Sequence, residues 1–174
     1  MNWLVQKPLI SVSIWFQTVW FIAVLGRESG LLLLVLGLAL GGWLISRAYW
    51  LRLEGVLLFM AIGLSVDSFN ILVGLFVFES AWIPAWLLLL WLAFSLYAFV
   101  LLPGLNRLPK PLVIMFGGLG GCLSYLAGLK FGAVATTFNI VSFVCVLAVE
   151  WVLLLAIASY LIARFPLVQK DTGG

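Results

Sequence analysis

Apolar residues occur in six long runs along the chain, and charged residues or prolines separate each run from the next. A helix needs about 20 predominantly apolar residues to cross the hydrocarbon core of a bilayer. Each run therefore predicts a membrane-spanning helix. The first run lacks the small-residue cleavage site of a signal peptide, so we expect it to be retained. The predicted spans cover residues 9–25, 30–45, 55–78, 85–102, 112–128 and 139–163.

The fold class that follows is all-α: a single polytopic transmembrane helix bundle with six spans, formed by residues 1–174. The fifth run differs from the others because it is rich in glycine and Lys130 follows it closely. It leaves two alternatives open. Either this run crosses the membrane fully, or it is re-entrant and residues 131–138 lie at the interface.

The positive charges predict an orientation in the membrane. With six spans, both termini, the loop between the second and third spans and the loop between the fourth and fifth spans lie on one side. That side carries Lys7, Arg47, Arg52, Arg107, Lys110, Arg164 and Lys170. The opposite side carries Arg27 and Lys130. Because positive residues concentrate on the cytoplasmic side of membrane proteins, we expect both termini to be cytoplasmic.

The overall composition supports a membrane protein and excludes several functional classes. Apolar residues make up 66% of the chain, charged residues make up 9%, and there is no histidine. Soluble domains have about 25% charged residues, so a soluble enzyme, a disordered protein and a nucleic-acid-binding domain are excluded. Without histidine the chain has no His-ligated metal site and no Ser-His-Asp triad. Cys122 and Cys145 are too few for a structural zinc site, so we expect no metal and no cofactor.

The tryptophans near the predicted span ends have a simple interpretation. Tryptophan is enriched at both membrane interfaces, where its amphipathic ring sits at the level of the headgroups. This interfacial belt accounts for them without a ligand. The tryptophans in question are Trp3, Trp43, Trp50, Trp82 and Trp86.

Two acidic residues lie deep within predicted spans. Asp67 is in the third span and Glu150 in the sixth, and both are expected near the membrane midplane. An ionisable residue at this depth is costly, usually faces a bundle interior and often marks function. Asn70 and Gly63 lie on the same helix face as Asp67, which predicts a polar stripe facing other helices. The alternative interpretation is structural, with each carboxyl acting as a hydrogen-bonding link between helices.

Small and polar residues form similar stripes on other predicted spans. On the fifth span Ser124 and Tyr125 lie beside the glycine face. These stripes are predicted to converge on an intramembrane polar site formed by Asp67, Asn70, Ser124, Tyr125 and Glu150. Ordinary close packing of helices explains the glycines equally well. The glycines predicted to pack helices are Gly37, Gly41, Gly63, Gly117, Gly121 and Gly128.

Two short motifs resemble those of a known family. They are GGCLSYLAGLKFGAV at residues 120–134 and GLSVDS at residues 63–68, which contains the buried acid. With the length and the six-span layout, they resemble a family of small proteobacterial inner-membrane proteins classed as a domain of unknown function. The resemblance implies a multi-pass protein of the bacterial inner membrane and transfers no catalytic residue. Members of that family are often encoded beside fatty-acid-modifying enzymes, which implies a connection to lipids by association.

Three functions remain open at this point. The first is a lipid-linked role, in which the polar site binds a membrane lipid or takes part in its modification; this leaves open whether the protein is an enzyme. The second is a scaffold whose glycine faces dock a further membrane protein. The third is a small proton-coupled transporter, expected as a homodimer, with Asp67 and Glu150 as proton sites. Membrane lipids are the expected partners, and nucleic acid is not.

Overall fold

The computed structural model describes residues 8–50, 52–80 and 82–169. Within these residues there are six α-helices: α1 (Pro8–Gly26), α2 (Leu31–Ala48), α3 (Leu53–Leu72), α4 (Ala85–Gly104), α5 (Lys110–Lys130) and α6 (Ile140–Arg164). A 3₁₀ helix, Arg27–Gly30, joins α1 to α2. Two short strands, β1 (Tyr49–Trp50) and β2 (Val168–Gln169), pair antiparallel. The chain is therefore an all-α bundle with one minimal sheet.

Within the described residues, five helical segments are long and apolar enough to cross a membrane. The first of these, Leu9–Ala48, is 40 residues long and contains both α1 and α2. These two helices pack against each other: the indole Nε1 of Trp15 donates a hydrogen bond of 2.8 Å to the carbonyl of Gly37. A Cβ on Gly41 would collide with the same indole ring. The chain is thus a multi-pass helical membrane protein.

The third helix ends earlier than the apolar pattern predicts. α3 stops at Leu72 instead of continuing to residue 78. Gly74 has φ +77°, a left-handed conformation that favours glycine and ends the helix. The backbone of Val77 then pairs with that of Ala135, with N···O distances of 2.8 and 2.9 Å. The predicted boundary was wrong because residues 73–78 are almost entirely apolar and resemble a continuing span.

The fifth helix is continuous over its 21 residues. At 1.5 Å per residue it is about 32 Å long, enough to cross the hydrocarbon core. Its glycines bring it close to α6: a Cβ on Gly121 would collide with the Trp151 ring, and one on Gly118 would lie 2.9 Å from Val152. Residues 131–139 form the connection to α6. This helix is thus one of the five segments that are long and apolar enough to cross a membrane.

The connections gather at two ends of the bundle. At one end, here called the connection end, the links between α1 and α2, α3 and α4, and α5 and α6 lie together. Arg27 donates to the carbonyl of Phe131 at 3.0 Å, and Glu28 accepts from the backbone N–H of Ala85 at 3.1 Å. At the other end, here called the strand end, β1 pairs with β2. Helices adjacent in sequence therefore run antiparallel.

Candidate functional site

The carboxyl group of Asp67 joins three helices. Its Oδ2 atom accepts a hydrogen bond from Nε1 of Trp91 on α4 and another from the hydroxyl of Tyr125 on α5, each at 2.6 Å. Asp67 is only 3% exposed. It also lies five residues before Leu72, about 7.5 Å from the end of α3. The early end of α3 thus places Asp67 nearer the connection end than its position in the predicted span implied.

The second acid makes a separate contact. Oε2 of Glu150 on α6 accepts a hydrogen bond of 2.8 Å from Nδ2 of Asn70. Asn70 is fully buried, whereas Glu150 is half-buried. Asp67 and Asn70 are three residues apart and therefore share a face of α3. On this face Asp67 contacts Trp91 and Tyr125, whereas Asn70 contacts Glu150.

Aromatic rings surround the Asp67 contacts. The rings of Trp91 and Trp151 are parallel within 4°, with centroids 5.8 Å apart. Tyr125 stacks on Phe76 with centroids 4.8 Å apart and an angle of 13°. Phe94 meets Trp151 edge to face at 5.2 Å. Such pairs add about 0.5–1.5 kcal/mol beyond the area that they bury, so packing stabilises this set of rings. The set is here called the aromatic wall and comprises Phe76, Trp91, Phe94, Tyr125 and Trp151.

A long groove runs beside this aromatic wall. Its volume is about 520 Å³, and α1, α4, α5 and α6 contribute its lining. Along α4 the lining residues begin at Trp86 and continue to Leu105, the residue that follows the helix, a distance of about 28 Å. Among the described residues, no Lys, Arg, Asp or Glu lines the groove. The groove is suited to a long apolar molecule.

The predicted polar site is divided between this groove and the helices behind it. Ser124 and Tyr125 line the groove, and Ser124 accepts a hydrogen bond of 2.7 Å from Nε1 of Trp20. Asp67 lies behind the wall, one hydrogen bond from the groove through Tyr125. Asn70 and Glu150 are not among the lining residues. That these five side chains act together at one site remains a prediction.

The glycines predicted to pack helices meet different neighbours. Gly63 lies against Trp91, and Gly41 against Trp15. A Cβ on Gly37 would lie 3.3 Å from Val19, and one on Gly117 would lie 3.0 Å from Leu155. Gly128 instead faces Val134, in the connection that follows its own helix.

Sequence reasoning missed several tryptophans of the site. Trp43, Trp50 and Trp82 are exposed, as an interfacial belt requires, whereas Trp86 is buried and lines the groove. Trp3 lies outside the described residues. The interior tryptophans that sequence reasoning did not single out are Trp20, Trp91 and Trp151. These three tryptophans lie farther from the predicted span ends than the interfacial tryptophans do. That distance is the signal that could have distinguished the two groups.

The site combines two chemical elements. One is the apolar groove, which can take up a hydrocarbon chain. The other is the carboxyl group of Asp67, which the Tyr125 hydroxyl connects to that groove through a 2.6 Å hydrogen bond. Because Tyr125 both lines the groove and contacts the acid, a bound molecule would lie against a side chain that Asp67 holds in place.

Comparison with known proteins identifies a family. No curated protein and no solved structure matches the chain. Residues 9–157 match DUF2878, a family described as proteins of unknown function. The match covers most of the 174 residues. The chain therefore belongs to the family DUF2878.

Proposed function

We propose that this protein has a lipid-linked role, in which the groove holds the hydrocarbon chain of a membrane lipid during its binding or modification. The observation that carries this proposal is the uncharged groove of about 520 Å³ along α4. Its volume falls within the range of about 300–1,000 Å³ typical of small-molecule sites. Its length of about 28 Å suits an extended chain better than a compact solute.

Access from the bilayer supports a lipid as the ligand. Phe116 and Leu123 line the groove, yet they are 70% and 61% exposed. Both belong to α5, a helix apolar enough to cross the membrane. An opening at these residues faces the hydrocarbon region, so a lipid chain can enter sideways without crossing water.

Asp67 has a positioning role in this proposal. Its two hydrogen bonds hold Trp91 and Tyr125, which both line the groove. The carboxyl therefore sets the shape of the wall against which the chain lies. In this proposal the residues of the groove bind the lipid, and no chemical step on the lipid is assigned to them.

Gly120 offers a direct test of groove occupancy. It lines the groove, and a Cβ built on it would meet no atom within 4 Å. Gly120→Leu should therefore fill the groove without disturbing helix packing. Gly42 on α2 is the matched control, because it also has open space around it and is not among the lining residues.

The measurement is native mass spectrometry of the purified protein in a mild detergent, with quenching of tryptophan fluorescence by a brominated acyl chain. Wild type and Gly42→Leu should retain bound lipid and be quenched, whereas Gly120→Leu should lose both signals. Equal lipid retention by the two variants would refute a groove-bound chain.

We further propose that the bundle crosses the bacterial inner membrane six times with the strand end in the cytoplasm. The antiparallel pairing of α1 and α2 supports two crossings within Leu9–Ala48. Among the described residues, Arg27 and Lys130 are the basic residues at the connection end. The other described basic residues, at the strand end, are Arg47, Arg52, Arg107, Lys110 and Arg164. This bias is the one expected for a cytoplasmic strand end.

The glycine faces are relevant to the alternative function, a scaffold that docks a further membrane protein. Gly41, Gly63 and Gly121 each lie against an aromatic ring of the same chain. A glycine face already occupied within the bundle does not offer its surface to a second protein. This occupancy favours the lipid-linked proposal over a scaffold.

A further inference from the structure

The polar groups along the groove divide into paired and unpaired sets. Trp20 donates to Ser124, Trp91 and Tyr125 donate to Asp67, and the Tyr97 hydroxyl lies 3.3 Å from that of Ser13. Three lining side chains, by contrast, have polar groups that form no hydrogen bond with the part of the chain that the structure describes. They are Gln17, Trp86 and Trp151.

Gln17 is the most unusual of these three. It is an exposed amide near the middle of α1, a helix that is otherwise predominantly apolar. Its side chain offers both a donor and an acceptor to the groove. An amide left without a hydrogen bond in an apolar environment is energetically unfavourable. A polar atom of the ligand would remove that cost.

The helix register places Gln17 and Trp151 at a similar level. Trp20 on α1 contacts Ser124 on α5, and both helices run from the strand end to the connection end. One turn earlier on α1 is Gln17, and one turn earlier on α5 is Gly121, which lies against Trp151. Gln17 and Trp151 therefore both line the groove at a similar level along the bundle.

We propose that Gln17 recognises a neutral oxygen, a carbonyl or hydroxyl group, carried part-way along the hydrocarbon chain of the ligand. This inference rests on the proposed function. The Trp151 indole N–H can donate to the same oxygen. A charged group does not fit there, since none of the lining residues that the structure describes is a Lys, Arg, Asp or Glu that could pair with it. The ligand is accordingly an uncharged, internally oxygenated chain.

The test compares two ligands that differ only in this oxygen. One is a long-chain ketone with its carbonyl at the central carbon, and the other is the alkane of equal length. Each competes with a brominated acyl chain for quenching of the groove tryptophans. The variant is Gln17→Leu. The control is Thr18→Val, because Thr18 is a neighbouring exposed residue that bonds to its own helix at Ile14 and is not among the lining residues.

Wild type and Thr18→Val should bind the ketone about two- to tenfold more tightly than the alkane, as one additional hydrogen bond provides. Gln17→Leu should abolish this preference, and it should bind the alkane at least as tightly as wild type, because no unpaired amide then lines the groove. If Gln17→Leu still prefers the ketone to the alkane, or if wild type shows no such preference, the inference about Gln17 is overturned. Alkane binding in the same experiment would still support the proposed lipid-binding groove. Failure of both ligands to bind overturns the proposed function as well. A changed oligomeric state of Gln17→Leu with unchanged affinities overturns the inference in favour of a protein contact.

Discussion

Replacement of Asp67 by leucine should destabilise the bundle strongly. The substitution removes the acceptor of two 2.6 Å hydrogen bonds, and the Trp91 indole and the Tyr125 hydroxyl lose their partner. Hydrogen bonds between membrane helices contribute about 0.6 kcal/mol each on average and about 1.7 at most. A buried donor left unpaired costs about 1–3 kcal/mol. For two donors we expect a loss of about 2–4 kcal/mol in the free energy of unfolding.

Asparagine at the same position tests whether the side chain is needed as a hydrogen-bond acceptor or as an acid. Asp67→Asn keeps one oxygen that can accept both hydrogen bonds, so its cost should be about 1 kcal/mol or less. The free energies of unfolding can be measured by reversible denaturation in mixed micelles, with helicity as the signal. The expected order of stability is wild type, then Asp67→Asn, and well below them Asp67→Leu.

Tyr125→Phe tests whether the cost arises from the unpaired donors. In this background one donor is already absent, so Asp67→Leu should cost about 1–2 kcal/mol less than in the wild-type background. Equal costs in both backgrounds, or an Asp67→Leu protein as stable as Asp67→Asn, would show that these hydrogen bonds do not hold the groove wall.

Two further predictions concern packing and orientation. Gly121→Ala places a methyl group against the Trp151 ring and should cost about 1–3 kcal/mol by overpacking. Gly120→Ala, in open space one residue earlier, should be neutral or stabilise by up to about 1 kcal/mol; equal effects in the same denaturation assay would disprove the packing assignment. A reporter enzyme that functions only in the cytoplasm should be active at the C-terminus and inactive within residues 131–139. The reverse pattern would contradict the proposed orientation.

The helices were predictable because the constraint that forms them is local. In hydrocarbon every backbone N–H and C=O must be paired, and a helix pairs them within one segment. Long apolar runs therefore indicated helices, and their approximate positions agree with the structure. The end of α3 was not predictable, since residues 73–78 are apolar. A left-handed Gly74 and a backbone pairing with Ala135 determine that end.

The candidate site was partly predictable. Asp67 was recognisable because an acid within an apolar helix is costly and so requires a partner. Its partners were not, since Trp91 is 24 residues away in sequence and Tyr125 is 58. The place of Gln17 on the groove was not predictable, because it depends on how α1 sits beside α5.

The sequence by itself determined that this protein is a bundle of apolar helices and that Asp67 and Glu150 are the acids within it that most need partners. Only the tertiary structure decided that an uncharged groove runs along α4 and that Trp91 and Tyr125 separate it from the acid. The physical reason is the range of the forces involved. Helix formation depends on neighbouring residues, whereas helix association in lipid depends on the fit of side chains distant in sequence, such as Trp151 against Gly121.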